Sequence, residues 1–160
     1  MDKQEVKTYY STIEISVFRT AVLVLVSSSR KDILEDLPKV YNNFNIKKEI
    51  LQRDTKLIEK IWENDGEPEY MPPGETLRLC NPSGDVIMIF CADSIADINE
   101  ELVVHETHHA ATYLCEFRGI EDEECEAYVQ EYLFNQILNK MDTWNNEHKE
   151  KIDETSNYSK

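Results

Sequence analysis

The chain carries the stretch IEISVFRTAVLVLVSSS at residues 13–29. Its first residues alternate between apolar and polar side chains, and the residues that follow are almost wholly aliphatic and mostly β-branched. Alternation and β-branched side chains favour extended backbone, and consecutive serines are typical of the end of a strand. The stretch therefore predicts either one long strand or two strands joined at a bend. Its apolar part, residues 21–26, is far shorter than the roughly 20 residues that a membrane-spanning helix needs.

Two helices are predicted to follow this stretch. The first covers residues 31–41, with Pro38 marking a break, because proline removes a backbone donor from a helix. The second is capped by Asn45, carries one broad apolar face and ends at Gly66. Residues 67–74 contain three prolines and a glycine, which predicts a loop.

A β-hairpin and a third helix come next. Thr76–Cys80 is predicted to pair with Val86–Ala92 across residues 81–84, where proline and glycine stand at the second and fourth turn positions. Asp97, with Glu100 three residues later, resembles a capping box, and this predicts the start of the third helix.

The remaining sequence predicts the end of the third helix and one further helix. The third helix reaches about Phe117 and stops at Gly119, and the last helix runs from about Asp122 to Asn139 or slightly beyond. The order β-α-α-β-β-α-α predicts an α+β fold with a small antiparallel or mixed sheet packed on helices. We expect a single domain over residues 1–144, followed by a polar and frayed C-terminal tail over 145–160.

The composition argues against several classes of partner. The chain has 32 acidic and 17 basic side chains, which give a formal net charge of −15. Nucleic acids and anionic membranes are bound mainly through Lys and Arg, so neither is expected as the main partner. The N-terminal residues lack the basic region of a signal peptide, and Cys80, Cys91, Cys115 and Cys125 show no C-x-x-C spacing. We therefore expect reduced cysteines and a cytoplasmic location.

The sequence His105-Glu106-Thr107-His108-His109 is an H-E-x-x-H motif inside the third predicted helix. Four residues are close to one helical turn, so His105 and His109 project from one face and can bind the same metal ion, for which zinc is the best match. Glu106 lies roughly 100° around the helix, where it can accept a proton from a metal-bound water. His108 points away from the pair and is interpreted as a packing or surface residue.

Residues 102–133 resemble the small zincin-type H-E-x-x-H proteins of bacteriophages and prophages, which share a general plan with gluzincin metallopeptidases. The likeness is carried by VVHETHHAA at 103–111, by the helix-ending pair at 119–120 and by ECEAYV at 124–129. The resemblance implies a zincin-like fold, a third zinc ligand from a glutamate on the next helix, and the host cytoplasm as the location. It also implies a peptide or protein substrate lying extended along the strand Val86–Ala92.

The third metal ligand is left open among three glutamates. The resemblance points to Glu124, with Cys125 as the small neighbour that lets two helices approach. Glu126 is a rival because Glu126-Ala127 also resembles the start of a gluzincin ligand helix. Glu131 is a second rival because a strictly antiparallel return helix would place it level with His109. Glu124 and Glu131 share a helix face, and Glu126 lies on another.

Two tyrosines near the motif have alternative interpretations. Tyr113 and Tyr128 can each donate a hydrogen bond to a developing oxyanion. The ordinary interpretation, two half-buried aromatic rings at helical spacing in the core, is favoured from the sequence.

Three functions are consistent with these features. The first is a zinc-dependent metallopeptidase-like protein in which His105, His109 and Glu124 hold zinc and Glu106 acts as general base on a peptide or protein substrate. The second is a binding module that contains zinc but does not catalyse a reaction. The third is an acidic protein that mimics nucleic acid and inhibits a host enzyme.

Overall fold

The computed structural model describes residues 8–64, 73–79 and 84–157, and its strands form one four-stranded mixed sheet in the order β1-β2-β4-β3. The strands are β1 (Tyr9–Ile15), β2 (Thr20–Ser27), β3 (Gly74–Arg78) and β4 (Val86–Cys91). Strands β2 and β4 are parallel, whereas β1 pairs with β2 and β3 pairs with β4 in antiparallel fashion. The α+β class and the mixed form of the small sheet are therefore confirmed.

The opening stretch forms two strands rather than one. A single 3-10 turn, Ser16–Phe18, separates β1 from β2. Arg19 follows it with a φ of 51°, a left-handed conformation that reverses the chain direction. The two strands then pair from Ile15↔Thr20 to Tyr9↔Val26.

The sheet lies between two pairs of helices. Because successive side chains of a strand point to opposite faces, Val22, Val24 and Val26 lie on one face of β2, and Leu23 and Leu25 lie on the other. The valine face packs against α3 (Glu100–Phe117) and α4 (Glu123–Asn157), and the leucine face packs against α1 (Arg30–Asn43) and α2 (Lys48–Asn64). Burial on both faces explains why the β2 sequence is continuously apolar.

The first two helices differ from the prediction at Pro38 and Asn45. Helix α1 continues through Pro38 to Asn43, so the predicted break is wrong, and the apolar side chains around it stay packed on the sheet. Ser29 caps this helix by accepting a hydrogen bond from the Asp32 amide at 3.1 Å. Asn45 does not cap α2, because it adopts a φ of 54° in the preceding loop and the helix starts only at Lys48.

The predicted start of the third helix and the predicted end of the loop before β3 are also corrected. Asp97 ends a short 3-10 turn, and the cap of α3 is Asn99, whose side chain accepts a hydrogen bond from the Leu102 amide at 2.8 Å. Gly119 ends α3 with a φ of 66°, as its position predicts. Gly74, assigned to the loop, is the first residue of β3.

The predicted hairpin pairing is observed between β3 and β4, from Gly74↔Phe90 to Arg78↔Val86. The segments 65–72 and 80–83 lie outside the described residues. They include the predicted helix end at Gly66, most of the predicted loop, Cys80 and most of the predicted turn.

The last helix is much longer than predicted. Helix α4 runs to Asn157 instead of ending near Asn139, so helical backbone covers most of the expected tail. Its buried face continues past the predicted end, with Met141 5% and Trp144 7% exposed and the Trp144 ring 5.8 Å from that of Tyr9. In the part of the chain that the structure describes, no helix combines the length and apolar character needed to cross a membrane.

We expect replacement of Trp144 by alanine to lower the free energy of unfolding by about 3 kcal/mol, because it empties a large buried site. The measurement is urea unfolding followed by circular dichroism. Asp142→Ala is the matched control, since Asp142 is exposed on the same turn of α4. A Trp144→Ala protein as stable as this control would contradict the docking of α4 beyond the predicted end.

Candidate metal centre

The two motif histidines converge at their ring nitrogens. The Nε2 atoms of His105 and His109 lie 3.1 Å apart, and the ring centroids are 4.7 Å apart in an edge-to-face arrangement. Tetrahedral zinc with bonds to two imidazoles holds the two nitrogens about 3.3 Å apart. This separation is close to that of two ligands of one ion, and it is also that of a hydrogen bond between the two rings.

Helix α3 exposes this pair because its opposite face is buried. The buried residues of that face include Val103, Thr107, Ala110, Ala111 and Leu114. The Thr107 hydroxyl donates to the Val103 carbonyl oxygen at 2.8 Å, so this polar group is satisfied inside the core. The histidines are consequently left at the surface, with His105 exposed and His109 half-buried.

Glu106 points away from solvent and toward strand β3. It is only 4% exposed, and the Thr76 hydroxyl lies 2.7 Å from its Oε2 atom and 3.1 Å from its backbone oxygen. Gly74 makes this approach possible, because a Cβ atom at that position would lie 2.8 Å from Glu106 Cγ. Thr76 and Gly74 were not identified from the sequence, since nothing local to them indicates contact with a helix 30 residues further on.

Strand β3, rather than β4, forms the sheet edge next to the motif. The expected substrate strand, Val86–Ala92, corresponds to β4, which lies between β2 and β3 in the sheet. The backbone groups of β4 are therefore hydrogen-bonded to a neighbouring strand on both sides. The expectation that a substrate pairs with this strand is wrong. The edge next to Glu106 belongs to β3.

Of the three candidate glutamates, the structure brings Glu126 to the metal-site helix. Glu126 lies three residues before buried Val129 and seven before buried Leu133, which places it on the inward face of α4. Its Oε1 atom lies 3.6 Å from His108 Nδ1 and accepts a hydrogen bond from the Thr112 hydroxyl.

The other two glutamates lie elsewhere. Glu124 is exposed and lines a groove with residues of the β1–β2 turn, including Val17 and Phe18. Glu131 is exposed on the same side of the helix as Glu124. Among the described residues, none of the three carboxylates forms a hydrogen bond or ion pair with His105 or His109, and Glu126 differs from the other two in contacting His108 and Thr112 of α3.

The structure does not bring three candidate ligands together. Among the described residues, no group of three His, Cys, Asp or Glu side chains lies close enough together to hold a metal ion. The histidine pair supplies two converging nitrogens, and the Glu126 carboxylate is held nearby by Thr112 and His108. His108, predicted to point away from the pair, is on the side of α3 that faces α4.

Tyr113 lies at the motif and Tyr128 does not. The Tyr113 ring stacks on His109 with centroids 6.3 Å apart, and the Arg78 guanidinium lies 4.8 Å above that ring. Arg78 also pairs with Glu116, so a cation from β3 is fixed beside the site. Tyr128 is 70% exposed in the groove that contains Glu124. Arg78 was missed from the sequence because only the packing of β3 on α3 brings it here.

Two of the described cysteines have thiols whose pKa is raised by burial. Cys91, Cys115 and Cys125 are free thiols, as expected. Burial raises the pKa of Cys91 to about 12 and that of Cys115 to about 11. These two thiols are therefore protonated near neutral pH when no metal is present.

We expect Thr76→Val to lower the free energy of unfolding by about 1–3 kcal/mol, because it leaves the buried Glu106 carboxylate without its hydroxyl donor. Thr76→Ser keeps the hydroxyl and should recover most of that loss. Urea unfolding of the three proteins checks this. Equal stability of Thr76→Val and wild type would show that the contact does not hold Glu106.

The chain was compared with models of protein families, with curated proteins and with solved structures. None of the three comparisons finds a match. The resemblance to zincin-type proteins therefore rests on the motif residues alone. The function has to be argued from the side chains that the fold brings together.

Proposed function

We propose that the chain is a zinc-dependent, metallopeptidase-like hydrolase whose site is formed by α3, β3 and the first turns of α4. The observation that carries the proposal is the convergence of His105 Nε2 and His109 Nε2 at 3.1 Å beside the buried Glu106. The same separation lets one ring donate a hydrogen bond to the other, so zinc binding by the two nitrogens has to be tested directly.

Three side chains of this chain would hold the ion. His105 and His109 supply neutral nitrogens, which suit zinc. Glu126 is the best third ligand, because it is the candidate carboxylate on the face of α4 that packs against α3. Binding would require its carboxylate to leave Thr112 and His108 and to rotate toward the two nitrogens. This choice replaces Glu124, the glutamate indicated by the resemblance.

Zinc bound at this site would supply Lewis acidity, which lowers the pKa of water and polarises a carbonyl group. Glu106 is one residue beyond His105 on the helix, and its carboxylate is the natural proton acceptor. The Thr76 hydroxyl restricts the rotation of that carboxylate and so orients it. Arg78 and Tyr113 place a positive charge and a phenol on the adjoining side, where they can stabilise a developing oxyanion.

The substrate class follows from strand β3. An edge strand offers unpaired backbone donors and acceptors, and an extended peptide can pair with it largely independently of its sequence. Because Thr76 of this strand contacts Glu106, a peptide paired to β3 would lie close to the general base. A peptide or protein is therefore the proposed substrate.

A zinc-containing module without catalysis is a second candidate. The hydrogen bond between the Thr76 hydroxyl and the Glu106 carboxylate favours this candidate, because a purely structural carboxylate would also be buried and hydrogen-bonded. The two candidates share the metal ligands and differ only in what Glu106 does.

The metal ligands can be tested by zinc binding in competition with a chromophoric chelator. We expect His105→Ala, His109→Ala and Glu126→Gln each to weaken zinc binding by more than about 10-fold, since even outer-shell partners contribute 10- to 100-fold. Glu124→Gln is the matched control and should bind zinc like wild type. Weakened binding in Glu124→Gln with no effect in Glu126→Gln would restore Glu124 as the ligand.

Catalysis can be tested by incubating the zinc-loaded protein with a proteome-derived peptide mixture and identifying new termini by mass spectrometry. We expect Glu106→Gln to keep zinc and to lower cleavage by about 100-fold or more, the usual effect of losing a general base. Cleavage by wild type and by Glu106→Gln at equal rates would refute the role of Glu106. Zinc binding without any cleavage by wild type would favour the non-catalytic module.

A further inference from the structure

A groove on the surface of the protein is formed by the β1–β2 turn and the first turns of α4. We call it the turn groove. It has a volume of about 500 Å³. Its apolar walls are Ile15, Val17, Phe18, Cys125, Tyr128, Val129 and Tyr132, and its acidic residues are Glu14, Asp122 and Glu124. None of the three proposed metal ligands belongs to it.

The turn groove exposes an unusual amount of apolar surface. Val17 is 83%, Tyr128 70% and Tyr132 44% exposed. Among the described residues, only two other large hydrophobic side chains are exposed to this degree, so most of them gather at this one place. Contiguous exposed apolar surface with a polar rim is typical of an interaction site, whereas single exposed residues are ordinary.

The walls of the groove are held in place before any partner arrives. The Tyr132 hydroxyl donates to the Glu14 carbonyl oxygen at 3.2 Å, which ties α4 to the end of β1. Arg118 donates to the Phe18 carbonyl oxygen, which ties the turn to the end of α3. A binding surface fixed in this way loses little conformational freedom when it is occupied.

The rim of the groove is negatively charged. Glu14 and Glu124 form no ion pair with any residue that the structure describes, and Asp122 accepts hydrogen bonds from the amides of Glu124 and Cys125. Two cations lie close by: Arg19 lines an adjacent hollow with Glu14, and Arg118 donates to the Phe18 carbonyl oxygen. The net charge of −15 adds to a potential that attracts cations.

We propose that the turn groove docks a segment of another protein that carries Lys or Arg next to an aliphatic or aromatic residue. The apolar side chain would cover Val17 and the tyrosine rings, and the basic side chain would meet Glu14 and Glu124. Tyrosine faces also attract Lys and Arg directly. An acidic or nucleic-acid partner is disfavoured by the same carboxylates. The surface is separate from the metal centre, so the inference stands whether or not the protein hydrolyses peptides.

The test uses two fluorescent peptides of equal length, Leu-Lys-Leu-Arg-Leu and Leu-Gln-Leu-Gln-Leu, titrated with the full chain and followed by fluorescence anisotropy. We expect the basic peptide to bind at least 10-fold more tightly than the neutral one. Tyr128→Ser and Glu124→Lys should each weaken binding of the basic peptide at least 5-fold. Both side chains are exposed, and the melting curves of the variants establish that they remain folded.

Glu59→Lys is the matched control, because Glu59 is an exposed acid on α2 and the change in net charge is the same as in Glu124→Lys. Binding reduced equally by both lysine variants would assign the effect to overall charge and overturn the proposal. Equal affinity for the two peptides, or none for the basic peptide at about 1 mM, would also overturn it. Self-association that Tyr128→Ser abolishes in sedimentation velocity would assign the groove to a second copy of the chain instead.

Discussion

The structure depends on covering both faces of the parallel strand pair β2–β4. These two strands are buried on either side, and a parallel pair of this kind is stable only when helices shield it from water on both faces. The α1–α2 pair covers one face and the α3–α4 pair covers the other. This arrangement brings α3 against β3, and the contact between Glu106 and Thr76 is a consequence of it.

The elements that could be predicted from sequence are those determined by local periodicity. The alternation of the opening stretch indicates a strand, and the apolar face of α2 indicates a helix. Gly119 indicates a helix end. None of these signals depends on the rest of the fold. The predicted start of α3 is wrong because two nearby residues could each cap the helix. Asp97 and Asn99 are both good caps, and Asn99 caps the helix because the Ile95–Asp97 turn already uses the residues before it. The length of α4 was missed because Met141 and Trp144 are widely spaced in a polar sequence.

In the site, too, the features set by local sequence could be predicted and those set by tertiary packing could not. His105 and His109 are four residues apart on one helix, so their convergence needs no knowledge of the rest of the fold. The other contributors come from β3 and α4, and their positions depend on how these elements pack on α3. The resemblance pointed to Glu124, but the buried residues Val129 and Leu133 determine which of the two glutamates faces α3, and this is Glu126.

The first turn of α4 therefore divides its carboxylates between two surfaces. Glu124 and Glu126 are about 200° apart around the helix, so they cannot face the same neighbour. Glu126 faces α3 and contacts His108, and Glu124 faces the β1–β2 turn. Cys125 and Val129 lie between them and pack in the core, which fixes the rotation of the helix. The rotation of α4 thus places the Glu126 carboxylate beside the proposed metal centre and the Glu124 carboxylate at the rim of the turn groove.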